Sequence, residues 1–245
     1  MKKLRTLLIA LPLTALLSNT AFAGLISEDF NSGSVNGATL YGPSVVVNNE
    51  LQLTSSNPSL LGGMSFSDQD NGQLIKSWGA DFDFRIDGNS NGGADGISLT
   101  YSRLGEVGVA SEEGLFSGLA IGFDTWNNDE TSGNHISLRY DGVLLVEQHI
   151  SAPSLQDGVV HNTAITMDEG LVSVSLDGTS IFTHQVANWS AYSGQFNFGA
   201  RTGWAMSRQV VDNFNANTVA VPEPSMLALF GLALFGLARR KTIKK

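Results

Sequence analysis

Between residues 24 and 220 the chain alternates apolar and polar positions and nowhere sustains a helical period. The segment DFDFRI sets Phe82, Phe84 and Ile86 on one face and Asp81, Asp83 and Arg85 on the other, the two-residue period of a half-buried strand. HISLRYDG repeats the pattern with Ile136, Leu138 and Tyr140, and QFNFGA with Phe196 and Phe198. TAITMDEGLVSVSLDGTSIFTHQV reads as a three-stranded meander. Its turns fall at Asp168-Glu169-Gly170 and Asp177-Gly178, where hairpins need positive φ. RQVVDNF closes the series as a last strand. Many short strands separated by Gly, Asn and Asp predict an all-β fold, an antiparallel jelly-roll sandwich. The polar run DGNSNGG, Asp87 to Gly93, reads as a long loop within one domain, and His149, His161 and His184 as surface or edge residues of strands.

The two ends break this pattern. Lys2, Lys3 and Arg5 precede an apolar run, Leu7 to Leu17, and Ala21-Phe22-Ala23 supplies a small-x-small cleavage site. Residues 1–23 therefore read as a secretory signal peptide cut after Ala23. At the other end Ser225 to Ala238 is apolar or small throughout, and Arg239, Arg240 and Lys241 follow at once. Though short for a span of ~20 residues, this reads as a membrane helix whose basic end would face the cytoplasm, leaving everything upstream outside. Pro222-Glu223-Pro224, the apolar run and the basic tail together resemble a PEP-CTERM sorting signal. The resemblance implies a bacterium with an outer membrane and recognition by an exosortase, an intramembrane sorting enzyme. It also implies transient anchoring in the inner membrane before display at the cell surface or in the extracellular matrix. The chain thus divides into residues 1–23, a domain over 24–219 and a sorting segment over 220–245.

Charge follows the same division. Between Gly24 and Ala220 six basic residues face 22 acidic ones, a net charge of −16, which disfavours nucleic acid and anionic lipid and suits cations or neutral polar ligands. The absence of cysteine excludes thiolate metal sites and cysteine nucleophiles.

The chemistry concentrates in GFDTWNNDETSGNH, Gly122 to His135, which follows the apolar run Leu119 to Ile121. A loop after a strand lies at the rim of a sandwich, where ligands bind. Asp124, Asn128, Asp129 and Glu130 offer hard oxygens, and Ca²⁺ takes about six to eight of these. The EF-hand order is missing, so the residues alone leave a cation site and a solvated acidic turn equally open.

Three further segments bear on that choice: GGADGISLTY with Asp95, EEGLFSGLAIGFDTWNN leading into the loop, and FNFGARTGWAM with its Thr202-Gly203-Trp204 turn. In this order they resemble the L-type lectins, the legume-lectin-like family of concanavalin A-like jelly rolls. The resemblance implies that Asp95, in Ala-Asp-Gly, accepts hydrogen bonds from sugar hydroxyls. Phe123-Asp124-Thr125-Trp126-Asn127-Asn128 matches the family's Phe-Asp-Thr-aromatic-x-Asn. It implies Ca²⁺ held by Asp124, Asn128 and the Trp126 carbonyl. Asn128 would also donate to the sugar, and the Trp126 ring would pack on it. Glu130, five residues before His135, takes the second acidic ligand, with Asp129 as rival. Gly114 is expected to offer a backbone N–H, and Thr202 to Met206, with Trp204, to form the rim that selects the sugar.

Plant members carry a Glu two residues before the Asp that helps bind a second, transition metal. Gly122 stands there, leaving His135 without an obvious partner, so the expectation is Ca²⁺ alone. The glycoside hydrolases of this fold carry Glu-x-Asp-x-x-Glu; here only Asp124 of the three remains, with Gly122 and Asn127 at the Glu positions. Glu112 and Glu113 lie in a loop, with no visible reason for a raised pKa. The resulting expectation is a non-enzymatic, calcium-dependent binder of glycan or extracellular polysaccharide. The alternatives are a structural surface or matrix protein whose loops bind no sugar, and a glycoside hydrolase.

Overall fold

The computed structural model describes residues 24–128 and 133–222. Expectations for the signal peptide, Glu130, Asp129, Glu223, Pro224 and the C-terminal helix fall outside these residues.

The described chain forms two antiparallel sheets. One has β13 (Thr179–Gln185), β12 (Leu171–Leu176), β11 (His161–Asp168), β6 (Ile75–Ser90), β15 (Met206–Ala220), β4 (Glu50–Thr54) and β3 (Val45–Val47) in that order, with β1 (Leu25–Glu28) also on β15. The other runs β10 (Val143–His149), β9 (His135–Tyr140), β8 (Leu119–Asp124), β7 (Gly96–Arg103), β14 (Gly194–Arg201), β5 (Leu61–Phe66) and β2 (Ala38–Tyr41). The meander is β11–β12–β13. Glu169 and Gly170, then Asp177 and Gly178, have φ of 47°, 87°, 49° and 74°, the paired positive angles of a tight hairpin turn.

Alternation delivers the core. Phe82 on β6 and Phe214 on β15 meet Phe123 on β8 and Phe198 on β14 across the sandwich, with Phe82 ring centroids 5.1–6.4 Å from the other three. Edge-to-face contacts of this kind add roughly 0.5–1.5 kcal/mol per pair beyond burial.

Three features depart from the sequence reading. The run 87–93 is not all loop: β6 continues to Ser90 because Asp87 and Ser90 pair with Arg208 and Met206. His161 is not a surface residue but is buried, its ring held between Asp177 Oδ2 at 2.8 Å and Asp157 Oδ1 at 3.2 Å. Third, β7, β8 and β14 are buried on both faces for nearly their whole length. The segment between β7 and β8, residues 104–118, is the cause, because it lies across the outside of their sheet. Ser98 Oγ donates to the Ser111 carbonyl at 2.7 Å, and the Leu115 N–H donates to Thr100 Oγ1 at 3.1 Å. Glycines beneath make room for this strap. A Cβ on Gly199 would run into the Ala110 Cβ, and one on Gly122 would stand 2.6 Å from the Glu112 carbonyl oxygen.

Candidate functional site: a rim cleft and a buried carboxylate–histidine cluster

Asp95 enters β7 through a cis Ala94–Asp95 peptide. Its N–H donates to the Arg201 carbonyl at 2.9 Å, and its own carbonyl accepts from Thr125 N–H at 2.7 Å and Thr125 Oγ1 at 2.8 Å. Three segments are thereby tied together: the start of β7, the end of β8 and the end of β14. The Asp95 carboxylate is buried and accepts from Arg201 Nε at 2.7 Å, while Arg201 Nη2 reaches Glu112 Oε1, also at 2.7 Å. Burial pushes the Asp95 pKa up against the pull of Arg201. It pushes Glu112 up to about 7, again opposed by Arg201, so the loop position of Glu112 hides a desolvated carboxyl.

Above this floor lies a cleft of about 300 Å³ lined by Asp95, Trp126, Asn128, Arg201, Gly203, Trp204 and Ala205. Trp204 is 80% exposed and Trp126 38%, so both stand open to solvent at the cleft. The β6–β7 turn steadies them: Asn91 Nδ2 donates to the Trp204 carbonyl at 3.3 Å, and Gly92 packs under Trp126. Four residues named for sugar contact, Asp95, Trp126, Asn128 and Trp204, therefore meet in one place. Gly114 does not join them. Its N–H is taken by the Ser111 carbonyl at 3.1 Å, and it packs over Thr100 and Ala120, where a Cβ would stand 2.6 Å from either side chain.

Behind the cleft, Asp124 and His135 are direct cross-strand partners of β8 and β9 and are both buried. Asp124 Oδ1 accepts from the Trp126 N–H at 2.6 Å, whereas Oδ2 has no hydrogen-bond partner among the described residues. Glu113 arrives from the strap over Gly122, and ligand atoms of Glu113, Asp124 and His135 lie within 4.8 Å of one another. His135 thus has a partner after all, with Nε2 3.8 Å from Glu113 Oε1, so the ground for expecting Ca²⁺ alone does not hold. Glu113 Oε2 accepts from Arg139 Nε and from Ser137 Oγ. Burial raises the Glu113 pKa, but the His135 imidazole beside it and hydrogen bonds from Arg139 and Ser137 outweigh it and hold the group at about 2. Asp124 goes the other way: burial and the neighbouring Glu112 and Glu113 charges push it up to about 8.

A buried carboxylate with an orphan oxygen beside a second carboxylate and an imidazole fits a divalent cation, whose charge would replace the missing proton. The mixed oxygen and nitrogen donors also suit borderline divalent ions.

The sequence profile of the legume-like lectin family matches residues 10–168. The chain belongs to that family. Membership places this lectin among non-enzymatic carbohydrate-binding proteins. The PEP-CTERM protein-sorting motif matches residues 220–241, which marks it as an exported protein processed at the cell envelope. The Ca²⁺/Man-bound exoplasmic/lumenal domain of VIP36 is similar at 18% identity and a TM-score of 0.66, over 83% of this chain and 92% of that one. The Bauhinia forficata lectin in complex with GalNAc is similar at 19% and 0.67, over 81% and 99%. The metal-free lectin I-B4 of Griffonia simplicifolia is similar at 20% and 0.65, over 79% and 98%. At these identities the likeness establishes the fold. No curated protein sequence matches the chain.

Two functional candidates escaped the sequence reading, Arg201 and Glu113. A signal for Arg201 existed: a domain with six basic and 22 acidic residues uses each cation where carboxylates crowd. Glu113 had none, because its role depends on where the strap crosses β8.

Proposed function

We propose that this lectin binds neutral glycan in the rim cleft, that binding depends on Ca²⁺, and that the protein is displayed at the cell surface or in the matrix after exosortase processing. The observation that carries the reading is the meeting of Asp95, Trp126, Asn128 and Trp204, drawn from three separate loops, around one cleft. Sugars present hydroxyl pairs and a weakly apolar C–H face, so their site needs a fixed acceptor, a fixed donor and an aromatic platform. Asp95 is the acceptor, Asn128 the donor and Trp126 the platform, with Trp204 closing the rim. Ca²⁺ is held by Asp124, Asn128, the Trp126 carbonyl and an acidic residue of the 129–130 pair, and it fixes the loop that carries Trp126 and Asn128. The Arg201 charge is matched by Asp95 and Glu112, which leaves no free cation at the cleft for an acidic sugar among the described residues.

One shallow cleft binds weakly, with Kd in the micromolar to millimolar range, roughly 4–8 kcal/mol, and dense display raises the avidity. The test is a polysaccharide pull-down and glycan array with and without chelator, beside Asp95→Asn and Trp126→Ala. Each substitution is expected to reduce binding at least tenfold while leaving the fold intact. Retained binding in both variants would move the site elsewhere, absence of binding to any glycan would favour a purely structural role, and release of reducing ends would reveal a hydrolase.

Sorting has its own expected result. Mass spectrometry of the surface-displayed protein should find no peptide beyond the Pro222-Glu223-Pro224 region. Recovery of Arg239 to Lys245 on that form would refute processing.

A further inference from the structure

Asp70 is buried at 2% exposure, far from the cleft and the carboxylate–histidine cluster, and has no cationic partner among the described residues. Its Oδ1 accepts from Thr218 Oγ1 at 2.5 Å, and its own N–H donates to Asp68 Oδ1 at 2.8 Å, so its neighbourhood is already negative. Beside it is a small cavity of about 10 Å³, lined in part by Tyr101, whose buried hydroxyl has no hydrogen-bond partner among the described residues. A buried carboxylate without a counter-charge is costly.

The group that reaches this place is the backbone of Gly24. Its N–H donates to Thr218 Oγ1 at 3.0 Å and its carbonyl accepts from Thr218 N–H at 3.0 Å. A Cβ at this position would stand 2.6 Å from Asp70 Oδ1 and 2.8 Å from Thr218 Oγ1, so only glycine fits. Gly24 is also the residue that follows the Ala21-Phe22-Ala23 cleavage signal.

We propose that signal-peptide removal builds an internal ion pair: the new α-ammonium of Gly24 seats against Asp70 and Thr218 and locks β1 onto β15. During export, water adds to the Ala23 carbonyl and the Ala23–Gly24 C–N bond breaks. Ala23 departs with a carboxylate, and the freed Gly24 amine takes up a proton. One N–H donor becomes three on a positive centre, which supplies the charge Asp70 lacks. The strand it starts pairs Leu25 with Asn217 and Glu28 with Phe214, so the pair fastens the open end of β1 to a strand that runs back to the cleft turn. Cleavage thus stabilises the closed sandwich as well as completing export.

This rests on cleavage after Ala23 and is independent of what the cleft binds. The test compares chains beginning at Gly24 and at Ala23, both continuing to Lys245, in the same detergent. The Gly24 chain should melt several degrees higher at pH 6–7. An amine paired in the fold has a pKa above the ordinary α-amino value of about 8, so its stabilisation is present below that value and lost as pH rises through the folded pKa. Asp70→Asn should erase the difference between the two chains. Independently of that variant's folding, the pH dependence of reductive methylation at Gly24, read by mass spectrometry, should give a pKa above about 8. Equal melting of the two chains, a difference that survives Asp70→Asn, an ordinary amine pKa, or an exported protein that begins elsewhere would each overturn the proposal.

Discussion

Asp124→Ala is expected to abolish the metal response of this lectin and its glycan binding together. The Asp124 side chain sits behind the cleft, bonds the Trp126 N–H and carries the orphan oxygen of the cluster. A cation bound only by the native state adds about 2.7 kcal/mol at a hundredfold excess over Kd. For a domain of this size that is a rise of roughly 5–10 °C in melting temperature. Wild type should show that rise with Ca²⁺ and lose it with chelator, and Asp124→Ala should show neither. The metal panel should include Mn²⁺ and Zn²⁺, since His135 and Glu113 stand in the same cluster.

The pH dependence gives a second signature. Asp124 and Glu112 have folded pKa values of about 8 and about 7, raised above those of the free side chains. The folded state therefore binds their protons more tightly than the unfolded state does, and metal-free stability rises as pH falls from about 8 toward 4. Glu113, held at about 2, works in the opposite sense: its stabilisation is present above about 4.5 and lost as pH falls toward 2. Metal-free protein should thus be most stable near pH 4–5. With saturating Ca²⁺ the slope above that range should reverse, because the cation competes with the proton on Asp124. A melting temperature that ignores both metal and pH between 5 and 8 would remove the site.

Gly122→Val should disable the metal cluster and the cleft floor from a position that touches no ligand. A Cβ there would stand 2.6 Å from the Glu112 carbonyl oxygen and 3.5 Å from the Glu113 Cα, so the strap must lift. Lifting withdraws Glu113 from His135 and Arg139, and Glu112 from Arg201. Overpacking of this kind costs about 1–3 kcal/mol. The distinguishing result is the pattern: a lowered melting temperature, a lost metal response and weakened glycan binding in one variant. Glu113→Gln, which removes a charge without displacing the strap, should lose a Mn²⁺ or Zn²⁺ response at the cluster while sparing the Ca²⁺ response and glycan binding. If Gly122→Val binds metal and glycan as wild type does, the strap does not support either site.

The sandwich itself was legible in the chain because a strand's two faces are written in a period of two. Phe82, Phe84 and Ile86 had to point one way, and the Asp-Gly and Glu-Gly turns could form only tight hairpins. The resemblance to the L-type lectins named Asp95, Trp126, Asn128 and Trp204, whereas the local logic only put the Gly122 to His135 loop at the rim. It misplaced His161 and shortened β6, since burial under a neighbouring loop and pairing with a distant strand leave no local trace.

By itself the sequence determined the alternation, the turns and the loop chemistry, all set by each residue's own conformational and solvation preferences. The tertiary structure alone decided which loops share a cleft, that Gly114 spends its N–H elsewhere, and that Arg201 ties Asp95 to Glu112. It alone brought Glu113 to His135 across the vacant side of Gly122. These are contacts between residues far apart along the chain, fixed by strand register and by the path of one strap over a sheet. No short-range pattern encodes such distances, and the desolvation that raises Asp124 and Glu112 exists only once the strap has covered them.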